Sequence, residues 1–374
     1  MQLSVIILNY NVRYFLEQCI RSVQKAIQNL DAEIIVIDNN SPDHSCEMVK
    51  TLFPNVILIE NKENTGFPKG NNIGVEKANG KYLCILNPDT VVAEDTFEKV
   101  LAFAETKSDL GIVGCKLIDG TGNFLPESKR GIPTPWVAVT KIFGLYKISN
   151  LFGKYYAQHL SENETGKVEI LVGAFMVMKR ELYTEIGGFD ENCFMYSDDI
   201  DLSYMVLQRG KSNYYFHETT VIHYKGESTI RDEKYMKRFQ EAMQFFYKKH
   251  FKKSLAFDYF MKVGAFSFSL IKKNQKTEIK KEIEEYVIFS KDNLKFNLSK
   301  KELYLDDFSQ FKNDLSTTTE IIFDANSFLF HDIINFMNLN NAVNLTFKNY
   351  IPDSNYLIGS NNSIDRGEIL HIKN

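Results

Sequence analysis

Residues 3–10, LSVIILNY, form an apolar run of strand length that ends in polar side chains. Similar runs follow at 33–40, 56–61, 82–89 and 111–118, and segments with helical periodicity separate them. This alternation is typical of a mainly parallel sheet that helices cover on both faces. The sequence therefore predicts an α/β fold.

The pattern continues after a Gly- and Pro-rich stretch at 119–136, which is too long for a simple connection and which we expect to shape a binding site. A further strand is predicted at 168–179. An acidic cluster then opens a predicted helix that ends near Gly210, and its members are Asp198, Asp199 and Asp201.

Composition narrows the range of functions. The 374 residues carry a net charge of -4, which argues against a chain that coats nucleic acid. Five cysteines without CxxC spacing indicate neither a zinc cluster nor a disulfide framework, and they favour a reducing, cytoplasmic location. The first apolar run is too short for a signal peptide or a membrane span.

Three regions are predicted along the chain. Residues 1–245 form the main α/β domain, 246–281 a basic amphipathic helical segment, and 282–374 a small α/β domain of unknown role. Ten lysines lie between positions 248 and 281. The basic segment either docks on an anionic membrane surface or packs its apolar face on its own catalytic domain, and the small domain either covers that face or mediates homo-oligomer formation.

Polar side chains follow the predicted strands, at Asn9, Asp38, Asn61 and Asp89. The carboxyl ends of parallel strands meet at one edge of the sheet, where open α/β sheets bind ligands. No GxGxxG or P-loop is present, so a dinucleotide fold loses support. Asn and Asp are also turn formers, and for Asn39 or Asn40 alone that explanation is favoured.

These motifs resemble a known family. The chain contains, in this order, VIILNYN, IDNNSPD, NTGFPKGNNIG, LNPDT, GAFMVMKRELYTEIGGFDENCFMYSDDIDLSY and HYKGEST. The same order of motifs is found in inverting glycosyltransferases of family two, which have a GT-A fold. The similarity covers about residues 1 to 230 and is greatest to the rhamnosyltransferase-like branch.

The resemblance implies a role for each acid. Asp38 would hold the nucleobase, and Asp89 would bind the Mg or Mn ion that grips the donor diphosphate. Asp199 would be the catalytic base, and Asp198, in place of the usual glutamate, would contact the acceptor. Without the family, the acids equally suit a helix N-terminus, whose dipole favours negative charge.

Further positions concern the donor site and the metal. Asn9 and Asn71 are expected in the donor site, and His223 is either a further metal ligand or structural. Gly66, Gly70 and Gly74 either line the donor pocket or serve the backbone. Met205 stands where the family commonly has arginine, so that contact is either missing or supplied by Arg209.

The expected function is transfer of a sugar, from dTDP-rhamnose or a UDP-hexose, to a saccharide or a lipid-linked saccharide in surface polysaccharide assembly. The alternative is a non-catalytic module that binds nucleotide sugars or carbohydrates. Retention of Asp38, Asp89 and Asp199 together disfavours that alternative, because a binding module needs no base.

Overall fold

The computed structural model describes residues 1–134, 137, 154–225, 233–251, 282–361 and 367–372. Most of the predicted basic segment lies outside these residues. No described helix combines the length and apolar character that crossing a bilayer requires.

The first sheet has nine strands in the order β3-β2-β1-β4-β8-β6-β9-β5, with β7 paired to β9. They are β1 Leu3–Asn9, β2 Ala32–Asp38, β3 Ile57–Glu60, β4 Tyr82–Leu86, β5 Thr90–Val91, β6 Leu110–Ile118, β7 Gly166–Val168, β8 Phe175–Lys179 and β9 Ser212–His223. Strands β1, β4 and β6 are buried along their whole length because helices cover both faces, as their continuous apolar runs predict. The predicted α/β class is confirmed.

Seven helices accompany this sheet in the described ranges. They are α1 Arg13–Ala26, α2 Ser45–Leu52, α3 Gly66–Lys77, α4 Thr96–Glu105, α5 Arg180–Ile186, α6 Asp198–Gln208 and α7 Glu233–His250. Pro68 is accommodated in the first turn of α3, where backbone N–H groups have no intrahelical partner.

The predicted strand at 168–179 is confirmed only over β8 Phe175–Lys179, because the chain leaves the sheet between β7 and β8. There Ile170 makes a bridge to Arg130, and the backbone N–H of Gly173 donates to Asp199. Strand β8 then pairs antiparallel to both β4 and β6, so the sheet is less uniformly parallel than the sequence indicates. The irregular stretch places residues 170–174 beside the acidic helix α6.

A second sheet has six strands in the order β11-β10-β12-β13-β14-β15. They are β10 Glu285–Phe289, β11 Lys301–Leu305, β12 Thr319–Asp324, β13 Leu345–Ile351, β14 Tyr356–Gly359 and β15 Glu368–His371, with α8 at Phe330–Leu339. These elements agree with the small α/β unit predicted for residues 282–374. Strand β11 is an edge strand whose side chains are largely exposed and therefore lack an apolar pattern.

The two sheets share one buried apolar cluster. Phe15, Val91 and Ile222 of the first sheet and its helices pack with Phe289 and Phe347 of the second. The carboxylate of Glu94 accepts hydrogen bonds at 2.9 Å from the backbone N–H groups of Phe330 and His331, at the start of α8. This contact satisfies backbone groups that a helix start leaves without partners. The division into three domains stays a prediction.

Candidate functional site

Asn9 and Asp38 end the neighbouring strands β1 and β2 and lie opposite each other in register. Asn9 Nδ2 donates to Asp38 Oδ1 at 2.6 Å, and the backbone N–H of Ser41 donates to Asp38 Oδ2 at 2.7 Å. Asp38 is buried. These bonds hold its carboxylate at the carboxyl edge of the sheet.

A cavity of about 530 Å³ opens beside this pair, and its lining includes Ser41, His44, Cys46, Lys50 and Glu60. Burial, followed by the charge and hydrogen bond of Asp38, raises the pKa of the Cys46 thiol to about 12. The thiol is therefore protonated at neutral pH and can donate to the neighbouring carboxylates.

Asn39 has a structural role in the loop that leads to α3. Its Oδ1 accepts from Asn61 Nδ2 at 2.8 Å and from Thr65 Oγ1 at 3.0 Å, and its Nδ2 donates to the carbonyl of Gly66 at 3.2 Å. Asn40 is exposed and has φ 63°, a turn conformation. For both residues the turn-forming explanation agrees with the geometry.

Asp89 and His223 lie together past the end of β4. Their Oδ1 and Nε2 atoms are 3.5 Å apart, and both side chains are buried. Asn87 Nδ2 lies 3.4 Å from the same His223 nitrogen. The antiparallel pairing of β5 with β9 sets Thr90 opposite His223 and so produces this approach.

The separation of Asp89 and His223 suits two ligands of one divalent cation. Two ligand atoms each bound at about 2.1 Å to one ion lie roughly 3 to 4 Å apart. The described residues include no cluster of three or more His, Cys, Asp or Glu suited to a metal, so further ligands would have to come from a diphosphate and water. His223 Nδ1 is buried and lacks a partner in the described part of the chain, whereas ligating histidines usually have one, so the fit is incomplete.

The acidic cluster occupies the first turn of α6, where all three carboxylates are buried. Burial and then the charge of Asp199 raise the pKa of Asp198 to about 7, although Arg130 opposes the increase. Asp199 accepts hydrogen bonds from Arg130 and from the backbone N–H groups of Gly173 and Ile200. The raised pKa belongs to Asp198, the neighbour of Asp199, and the resemblance assigns the role of base to Asp199.

Asp201 belongs to a different set of contacts. Lys249 Nζ donates to its Oδ2 at 2.7 Å, and His250 Nε2 lies 2.5 Å from its Oδ1. Lys249 also reaches Asp190 and the sulfur of Met205. Of the two alternatives for the family arginine, supply of the contact by Arg209 does not agree with the structure, because Arg209 pairs with Glu185 on the surface. Lys249, from α7, is the cation that contacts the cluster beside Met205.

Backbone hydrogen bonds connect the segment that carries Asp89 with the surroundings of Asp199. The backbone N–H of Asn87 donates to the carbonyl of Ala174 at 3.0 Å, and adjacent Gly173 donates to Asp199 at 3.1 Å. A Cβ added to Gly173 would lie 3.4 Å from Asp199 Cβ and 3.8 Å from Asp198 Oδ2. The absence of a side chain at Gly173 keeps space open in front of both carboxylates.

Asn71 is fully buried on α3, where its Nδ2 donates to the carbonyl of Phe67. Its predicted place in the donor site stays a prediction. Gly70 and Gly74 serve close packing, since a Cβ at either position would lie 2.4 Å from Leu8 or Ile37 respectively. Gly66 has φ +80°, which favours glycine.

Sequence reasoning did not identify Arg130, Lys249, His250 or Gly173. Their partners are distant in sequence, and the Arg130–Asp199 bond spans 69 residues. The unusual length of the 119–136 stretch was the signal that could have directed attention to Arg130.

Comparisons with known proteins agree with the motifs. The profile described as "Glycosyl transferase family 2" matches residues 4–187. An "N-acetylglucosaminyl-diphospho-decaprenol L-rhamnosyltransferase" of Mycobacterium tuberculosis is 24% identical over 241 residues, which cover 62% of this chain and 78% of that protein. "Minor teichoic acid biosynthesis protein GgaB" of Bacillus subtilis is 28% identical over 214 residues, 56% of this chain and 21% of that one.

Among solved structures, a mannosyltransferase from Pyrobaculum calidifontis in complex with GDP-Man and Mn²⁺ aligns with a TM-score of 0.49 and 17% identity. The alignment covers 74% of this chain and 76% of that chain.

Proposed function

The chain belongs to glycosyl transferase family 2 with a GT-A fold, and from this we propose that it transfers a sugar from a nucleotide-diphosphate donor with inversion at the anomeric carbon. The observation that carries the proposal is that two groups of polar side chains lie on connected segments. Asp89 and His223 form one group and the buried pair Asp198 and Asp199 the other, and backbone hydrogen bonds of residues 87, 173 and 174 connect them. This arrangement offers a cation site for the leaving group and a base for the acceptor.

The proposed steps use residues of this chain. Asp38 and the cavity beside it receive the nucleobase, and Asn9 fixes the orientation of Asp38. Asp89 and His223 would hold a Mn or Mg ion, which supplies positive charge to the diphosphate. Asp199 takes the proton of the acceptor hydroxyl, whose oxygen bonds to the anomeric carbon as the bond to the diphosphate oxygen breaks. Asp198 lies beside it to contact the acceptor.

The relatives narrow the proposal further. A rhamnosyltransferase that by its name acts on a diphospho-decaprenol lipid, and a teichoic acid biosynthesis protein, support a role in surface polysaccharide assembly. We therefore propose dTDP-rhamnose as the first donor to test, UDP-hexoses as the second, and a lipid-linked saccharide as the acceptor. A location at the cytoplasmic membrane surface would bring the enzyme to that acceptor.

A nucleotide-sugar panel tests the function. dTDP-rhamnose or a UDP-hexose with Mn²⁺ should raise the melting temperature, because a ligand that binds the native state stabilises it. Asp199→Asn should keep this shift but lower kcat by roughly two to four orders of magnitude. A donor that stabilises the protein but is never turned over would instead favour the non-catalytic binding module.

A further inference from the structure

Arg130 is a buried arginine whose backbone is fixed on both sides. It follows the short 3-10 turn Pro126–Ser128, and its N–H and carbonyl both exchange hydrogen bonds with Ile170 at 2.9 Å. Its side chain is 10% exposed. An arginine is rarely buried without a charge partner, because removing a guanidinium from water is costly.

The partner of Arg130 is the carboxylate of Asp199. Arg130 Nη2 donates to Asp199 Oδ2 at 2.5 Å and to the carbonyl of Leu171 at 2.9 Å. The backbone N–H of Gly173 donates to the same Oδ2 at 3.1 Å, and that of Ile200 donates to Oδ1 at 2.7 Å. Both oxygens of Asp199 are therefore held in one orientation.

The hydrogen-bonding capacity of Asp199 shows which atom is open to a substrate. An ionised carboxylate has about four lone-pair positions, two on each oxygen. Arg130 and Gly173 occupy both positions on Oδ2, whereas Ile200 occupies one on Oδ1. Among the described residues nothing else bonds to Asp199, so one position on Oδ1 is left for an acceptor hydroxyl.

We propose that Arg130 is a positioning residue of the transfer reaction, which holds Asp199 so that Oδ1 faces the acceptor and balances the charge of the Asp198–Asp199 pair. This inference rests on the proposed function. Arg130 does not itself contact the sugar and acts through Asp199.

The charged groups around the pair agree with this role. Asp201 on the same helix is engaged by Lys249 and His250 of α7. Cys193 lies on the preceding loop, and burial raises the pKa of its thiol. Tyr155 and Glu127 face Arg130 on its other sides. Arg130 is the cation that lowers the pKa of Asp198, against the increases caused by burial and by Asp199.

Two measurements test the proposal, and one of them needs no substrate. Carboxyl-carbon NMR of the full chain with labelled aspartate follows the titration of the acidic pair directly. Arg130→Gln should raise the higher apparent pKa of the pair by about one unit, because an opposing cation is lost. The second measurement is dTDP release from dTDP-rhamnose with Mn²⁺ and a lipid-linked saccharide as the acceptor. Its kcat should fall roughly a hundredfold at unchanged donor KM, and the acid limb of its pH profile should move upward.

Further substitutions of arginine, at a surface position and at position 130 itself, serve as controls. Arg209→Gln removes an arginine from the end of α6, on the surface, and should change neither titration nor kcat. Arg130→Lys keeps the charge without the planar fork, so the titration should stay near that of the wild type while kcat falls. Millimolar guanidinium should partly restore kcat in Arg130→Ala.

The outcomes separate the two proposals. An unchanged titration in folded Arg130→Gln would overturn the role of Arg130, as would equal kcat in wild type and variant. If Arg130→Gln does not fold, Arg130→Lys carries the test, and equal kcat in that variant and the wild type has the same meaning. Absence of dTDP release by the wild-type protein contradicts the proposed donor and leaves the NMR result as the test of Arg130.

Discussion

Asp89 is the residue whose loss should separate metal binding from folding. Asp89→Asn keeps the shape of the side chain but removes the charge that would bind a cation beside His223. We expect Mn²⁺ no longer to increase donor affinity, measured by calorimetry, while the melting temperature without ligand stays close to that of the wild type. Asp95→Asn, a nearby acid that pairs with Lys99 and His331, is the control. Full metal-stimulated affinity in Asp89→Asn would show that the cation binds elsewhere.

Asp198 should make the stability of the protein depend on pH. Its pKa in the folded state is about 7, above the value of 3.8 for an unperturbed carboxyl, because of burial and then the charge of Asp199. The native state therefore binds more protons than the unfolded state between these values, and this contribution to stability is lost as pH rises from about 4 through 7. Asp198→Asn should flatten that part of the melting-temperature profile. A profile with the same slope in the variant would assign the dependence to other groups.

At the scale of elements, the contact of α3 with the sheet depends on glycine. A Cβ at Gly74 would lie 2.4 Å from Ile37 Cδ1 and 2.7 Å from Ile6 Cγ2. Although alanine favours a helix over glycine, Gly74→Ala should lower the free energy of unfolding by about 1–3 kcal/mol, because the core is overpacked. Denaturant titration measures the change, and exposed Glu76→Ala should stay within about 0.5 kcal/mol. A stabilised Gly74→Ala would show that α3 can move away from the strands.

The same elements show what a sequence can predict. The proximity of Asn9 and Asp38 could be predicted, because the ends of adjacent parallel strands lie side by side for any conformation of the loops. The strand at 168–179 was predicted correctly only from Phe175 onward, because apolar residues continue through 170–172 although the backbone of Ile170 bonds to Arg130 and that of Gly173 to Asp199. Lys249 and Arg130 could not be assigned, since long polar side chains find partners only once distant helices and loops are packed. Periodicity carries no information about such contacts.

At the scale of the whole molecule, the open question is whether the lysine-rich segment brings the protein to a membrane. A test of membrane binding should leave Lys249 in place, because it pairs with Asp190 and Asp201 and its loss would disturb the site. We expect Lys248→Gln, Lys252→Gln and Lys253→Gln together to weaken binding to anionic vesicles, since each lysine near such a surface contributes about 1 kcal/mol. Co-sedimentation at rising salt measures this, and Lys77, Lys295 and Lys312 changed to Gln form a control with the same charge. No binding by the wild type at low salt would leave the segment packed on its own protein.

The bond between Glu94 and the start of α8 also has a consequence for biosynthesis. The carboxylate is made 236 residues before the N–H of Phe330 that it accepts from. At bacterial or eukaryotic translation rates this interval lasts roughly 10 to 50 seconds. During that time Phe15, Val91 and Ile222, or those of them already made, have no second sheet to cover them. The nascent chain therefore presents an apolar surface on the ribosome until the last quarter of the protein emerges, and surface of this kind is what chaperones shield.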